Sequence, residues 1–116
     1  MKKTGTIIIS DGVIFINPIN GEVWLSQWQI AGLFEVFISK ISSNIRSILK
    51  SDVLRENEVS RFVNHSNGNI SQLYNFEMIT ALAFRIHSRN ADLFREYLMK
   101  RAVKQDVKQS SAFSLN

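Results

Sequence analysis

Cysteine is absent from this 116-residue chain, which excludes disulfides and thiolate metal ligation and agrees with a reducing compartment. Long apolar runs are missing too. Runs such as Ile7–Ile9 and Val13–Ile16 fall far short of the roughly 20 residues a membrane helix requires. The start, "MKKTGTIIISDGVIFI", pairs two lysines with isoleucines as a secretory leader would, but Asp11 and Gly12 interrupt it and no small-residue cleavage site follows. It reads as the first strand of a cytoplasmic protein with no membrane partner. No H-E-x-x-H pair, glycine-rich phosphate loop, G-x-S-x-G elbow or nucleophile with an evident base is present, and His65 and His87 lack ligand spacing. The expectation is therefore no enzyme, no cofactor, no metal and no small-molecule substrate.

What is present is a modest excess of positive charge, +4 overall. From Ser66 onward seven basic residues face four acidic ones. Such a balance favours polyanionic partners, nucleic acid above all. The length predicts a single domain, placed here at residues 1–108, with residues 109–116 as a fraying tail.

The pattern is mixed α+β. Thr6 to Leu25 predicts two or three antiparallel strands, with Asp11-Gly12 as a tight hairpin turn and Pro18 and Gly21 shaping a second turn. Ser26 and Gln29 have the spacing of a capping box, so a helix opens there and keeps Ile30, Leu33 and Phe34 on one side. Glu35-Val36-Phe37 breaks it, and a second helix begins at Ile38 or Ser39 and runs to about Leu49. "SDVLRENEVS" connects onward, with a helical turn placed from Asp52. Val59 to Phe76 predicts a second hairpin turning at "NHSNGN". Helices follow from Phe76 to about His87 and from Ala91 to about Lys108, the latter capped by Asn90.

Two helices joined by a short turn, the second polar on its outer side, form a helix-turn-helix. The first helix packs across the second and holds it out for the DNA major groove. Ala31 suits the close approach of the two helices, and Val36 suits the turn residue that plugs back between them. The outer side of the second helix is polar, cationic and free of acid. Ser39, Lys40, Ser42, Ser43, Arg46 and Lys50 are its candidate groove and phosphate contacts, and Arg61 on the second hairpin is a candidate contact of a wing with His65, Asn67 and Asn69 at its tip. The plain alternatives are a solvated helix face and an ordinary sheet hairpin. Lys100, Arg101, Lys104 and Lys108 read first as a solvated face of the last helix. Trp24, Trp28 and Tyr74 read as core or partner contacts, and Arg85 and Arg89 as ion-pair partners of Glu77, Asp92 or Glu96.

Three segments, "VWLSQWQIAGLF" (23–34), "LYNFEMITALAFRIHSR" (73–89) and "LFREYLMKRAV" (93–103), resemble in order the N-terminal domain of the bacterial RhuM family, described as virulence-associated and often encoded on mobile elements. The resemblance covers about residues 21–103. It implies a winged helix-turn-helix-like domain with an N-terminal β-hairpin, a central helix-turn-helix, a second hairpin and two C-terminal helices. Its partner would be double-stranded DNA, and its role that of a regulator. Members are usually several times longer, so the likeness is to their N-terminal module. The chain departs from the family at the turn, where relatives usually hold glycine followed by polar residues. Here stand Glu35, in a turn that need not be left-handed, then Phe37 and Ile38. Those two apolar residues, with Trp28, define the alternative: a protein-interaction or homodimer module. Their burial or exposure in the monomer separates the readings.

Overall fold

In the computed structural model of the chain, which describes residues 4–114 and side chains as far as Lys104, Asp11 and Gly12 both take positive φ, 50° and 75°. That turn matches the twist of hairpin strands, and it folds Thr6–Ser10 (β1) antiparallel onto Val13–Asn17 (β2). The register opposes Ile7 to Ile16 and Ile9 to Ile14 on the face toward the core, and Ile8 to Phe15 on the face toward solvent. Gly5 passes so close to the strand that follows that a Cβ would lie 2.9 Å from the Glu22 carbonyl oxygen.

A third strand is present but does not extend this hairpin. A tight turn at Asn20-Gly21, closed by two backbone bonds between Ile19 and Glu22, redirects the chain. Trp24–Ser26 (β3) then pairs with Ile70–Asn75 (β5), whose other edge carries Ser60–Asn64 (β4), giving the order β3-β5-β4. The pairing sets buried Leu25 beside buried Tyr74, so the strand goes where its apolar side chain leaves water.

Ser26 caps Gln27–Phe34 (α1) in the expected capping box, its Oγ accepting from Gln29 N–H at 3.2 Å while Gln29 Oε1 accepts from Ser26 N–H at 2.8 Å. Ile38–Lys50 (α2) follows after three residues. The helical turn placed from Asp52 lies later, at Glu56–Val59 (α3), because Asp52 itself is left-handed at φ 63°. β4 and β5 form the second hairpin, closed by His65 N–H to the Asn69 carbonyl at 2.8 Å.

Phe76–Ala83 (α4) is capped by Asn75 and ends four residues before His87. Arg95 Nη1 donates to the carbonyls of Ala83 and Ile86, 2.5 and 2.8 Å away, filling acceptors that a longer helix would have used internally. Arg89–Ser114 (α5) is the last helix. Its cap is Ser88, whose Oγ accepts from Ala91 N–H at 3.1 Å. Asn90, expected in that role, instead donates to the Leu33 carbonyl at 2.9 Å. The backbone of α5 runs on past Lys108, where the helix was expected to end, while the side chains from residue 105 onward, that of Lys108 among them, and residues 115–116 lie outside the described residues.

The chain is thus α+β, with five helices and two small antiparallel sheets among the described residues. Its core gathers Ile30 and Phe34 of α1, Ile41 of α2, Met78, Ile79 and Leu82 of α4, and Phe94 of α5, all without solvent exposure. Phe94 stands edge-on to Phe34 at 5.7 Å between ring centroids and tilts against Phe76 at 5.9 Å. Among the described residues no helix is long and apolar enough to cross a membrane.

Candidate nucleic-acid interface

The turn between α1 and α2 is built by Glu35. Its backbone is left-handed, φ 55° and ψ 49°, the conformation a glycine would adopt more cheaply, so the non-left-handed turn open to a glutamate is not the one taken. In that conformation Glu35 N–H reaches the Gly32 carbonyl at 3.3 Å and Val36 N–H the Ala31 carbonyl at 3.0 Å. These two bonds stop α1 in a Schellman-type closure. Ala31 is buried and Val36 half-buried against the core, the roles their residue types suggested.

α2 leaves this turn with Ile41, Ile45 and Ile48 buried. At 100° per residue the opposite side is the row Ser39, Ser43, Arg46 and Lys50, flanked by Lys40 and Ser47, all exposed. No acid occurs from Ile38 to Lys50. Five of the six residues proposed on this helix therefore share its outer side.

The exception is Ser42. It is half-buried on the flank facing α1, where its Oγ donates to Gln27 Oε1, and Gln27 Nε2 donates in turn to the Tyr74 hydroxyl at 3.4 Å. Ser42 is thus one end of a chain of hydrogen bonds joining α2, α1 and β5. It ties the helix to α1 rather than presenting a group outward. Ser43 Oγ and Asn44 Nδ2 both turn back onto the Lys40 carbonyl, at 3.3 and 2.8 Å.

Arg61 stands apart from this row, on β4. Its guanidinium lies over the Trp24 ring, 4.2 Å from the centroid, while Trp24 Nε1 donates to Glu22 Oε1 at 3.3 Å. The hairpin tip spends its polar groups on itself: His65 Nε2 meets Ser71 Oγ at 2.7 Å, and Asn67 Oδ1 accepts from Asn69 N–H at 3.0 Å.

Arg85 was expected to pair with an acid and does not. Its Nη1 donates to Ser47 Oγ on α2 at 2.7 Å, bringing a further cation from 38 residues away to the outer side of the helix. No local pattern signals this, since the contact depends on how the end of α4 meets α2. Among the described residues the ion pairs are Arg95–Asp92 and Lys100–Glu96. Lys100 holds the Glu96 carboxyl below the usual carboxylate range, through its hydrogen bond first and its charge second. Arg101 Nε donates to the Tyr97 hydroxyl at 3.0 Å. Lys100 and Arg101 are thereby engaged along α5, in keeping with a solvated face.

Of the aromatic residues expected in the core or at a contact, Tyr74 is buried and Trp24 half-buried, whereas Trp28 is 72% exposed. Phe37, at the leading end of α2, is 86% exposed, while Ile38 turns inward onto the core. Among the described residues no three His, Asp or Glu side chains gather as metal ligands. No protein-family model matches the chain, and no curated protein or solved structure matches it.

Proposed function

We propose that this chain is a double-stranded DNA-binding domain in which α2 is the reading helix of a helix-turn-helix. The observation that carries the reading is the outer side of α2. It is acid-free, carries Lys40, Arg46 and Lys50, and faces solvent while the inner side of the helix packs on α1 and the core. DNA-binding helices need that combination, because cations supply attraction to phosphate while short hydroxyl side chains let the helix enter a groove. The order β3-β5-β4 supports it. Pairing the strand before the two helices with the second strand after them sets the β4–β5 hairpin beside the helix pair, where a wing carrying Arg61 would lie. The likeness to the RhuM N-terminal domain points the same way.

The test is fluorescence anisotropy of the purified chain with random-sequence duplex DNA across a salt series. One phosphate each for Lys40, Arg46, Lys50 and Arg61 contributes about −3.6 to the slope of log affinity against log salt, at 0.9 per contact. The Lys40→Glu, Arg46→Glu double variant flattens the slope by about 1.8 or abolishes binding. Absence of binding by the parent chain at low salt refutes the reading.

A second reading draws on one specific observation, the exposure of Phe37 and Trp28. Exposed large apolar side chains mark partner surfaces when they lie together, and a two-fold dimer reading two half-sites is compatible with DNA binding. Sedimentation of the parent chain and of Phe37→Ser separates the two cases, since only a dimer built on this contact dissociates on substitution.

A further inference from the structure

We infer that Arg85 is a fifth phosphate contact of this interface, held ready for it by Ser47; the inference rests on the DNA-binding reading above. An exposed arginine ordinarily retains most of its rotamer freedom and surrenders it only on binding. Arg85 has surrendered much of it already, because Nη1 donates to Ser47 Oγ at 2.7 Å. The backbone beneath it is fixed as well. Arg85 N–H donates to the Leu82 carbonyl at 3.0 Å, and the carbonyls of Ala83 and Ile86, on either side, are both held by Arg95.

The partner's identity matters as much as its distance. A serine hydroxyl orients the guanidinium without neutralising it, whereas an aspartate at position 47 would cancel its charge. One of five guanidinium donors is engaged, and no acid pairs with the group among the described residues, so four donors and a full positive charge remain for a ligand. A hydrogen bond between exposed groups contributes little to stability. The arrangement makes better sense as pre-organisation, which spares affinity the cost of ordering a long side chain at binding.

The position completes a polarity along α2. Ser47 lies one turn before Lys50 and beside Arg46, so Arg46, Lys50 and Arg85 cluster at the C-terminal half of the helix, while the N-terminal half carries Lys40 alone. Helix-turn-helix recognition helices commonly contact base edges through their N-terminal residues. The cluster therefore belongs against the phosphate backbone, at the end away from the bases. Its ligand is the phosphate diester of duplex DNA, bound without regard to sequence.

Salt titration of the full chain on random-sequence duplex DNA tests this directly. Five contacts predict a parent slope of about −4.5, and Arg85→Gln reduces its magnitude by about 0.9. Equivalently, raising salt from about 50 to 200 mM costs the variant about 3.5-fold less affinity than it costs the parent. Arg85→Lys keeps the slope, and Arg101→Gln, the same loss of charge on α5, leaves it unchanged. A parent slope that survives Arg85→Gln yet falls in Lys40→Gln overturns the inference and leaves the DNA-binding reading standing. Equal reductions in Arg85→Gln and Arg101→Gln also overturn it, since they would report net charge rather than a built contact. No binding by the parent chain removes both.

Discussion

Glu35 gives the most direct separation of backbone from charge at the helix-turn-helix. A non-glycine residue in the left-handed region costs about 1–2 kcal/mol, and Glu35 is held there by the two bonds that end α1. Glu35→Gly relieves that cost but adds freedom to the unfolded chain, which takes back about 0.4–1 kcal/mol. The net expectation is stabilisation of about 0.5–1 kcal/mol. For a domain of this size that raises Tm by about 2–6 °C, followed by circular dichroism. Glu35→Gln, which keeps the strained backbone and removes the carboxylate, leaves Tm nearly unchanged. DNA binding sorts the pair differently. Both variants delete the negative charge that precedes α2, so both bind duplex DNA more tightly, and by similar factors. Refutation would be equal melting temperatures for the glycine and glutamine variants, or a destabilised glycine variant, since either means the left-handed backbone carries no relievable strain.

Two other substitutions test how the reading helix is held. Gln27→Ala breaks the chain from Ser42 to Tyr74 and leaves the half-buried Ser42 and buried Tyr74 hydroxyls short of a partner, which costs about 1–2 kcal/mol in urea unfolding. It also weakens DNA binding without altering the salt slope, because α2 loses its angle and none of its cations; an unchanged affinity would show that the hydrogen-bond chain does not set the helix. Phe94→Ala removes the ring lodged against Phe34 and Phe76, and such truncations cost about 3–5 kcal/mol. A loss below about 1 kcal/mol would mean that α5 does not share the core of α1 and α4.

Features set by residues close in sequence were the legible ones. The capping box needs only Ser26 and Gln29, and the first hairpin needs Asp11-Gly12 between two apolar runs, so both arise as the spacing predicts. The two helices and the second hairpin are likewise local patterns. What escaped depends on distant partners. β3 pairs with β5 rather than β2, because the choice is decided by where Leu25 and Tyr74 are buried together. Ser42 was counted with the outer face, but its neighbour is Gln27, and only the crossing of α1 and α2 brings them together. Trp28 read as a core or a partner-contact residue, and the core half of that reading fails. It lies two positions before Ile30, roughly 200° around the helix, and so points away from the buried side. The left-handed Glu35 had no signal in its own side chain, because glutamate is not the residue that conformation selects, and only the glycine that the resembled family usually holds at this turn pointed to it.

The residues that hold the interface most firmly lie furthest from it in sequence. Helix C-termini leave carbonyls without internal partners, and the first turns of α5 supply the missing donors at two such ends. Asn90 Nδ2 donates to the Leu33 carbonyl, beside the turn from which α2 departs, and Arg95 donates to the carbonyls of Ala83 and Ile86, on either side of Arg85. Phe94 lies between these two donors in sequence and locks the same elements by packing against Phe34 and Phe76. The turn before α2 and the loop that carries Arg85 are therefore braced by one short stretch, Asn90 to Arg95. On the proposed reading α1 and α2 face the DNA, but the contacts that tie the ends of α1 and α4 together come from α5, so a substitution in Asn90 to Arg95 is expected to disturb interface geometry and domain stability together.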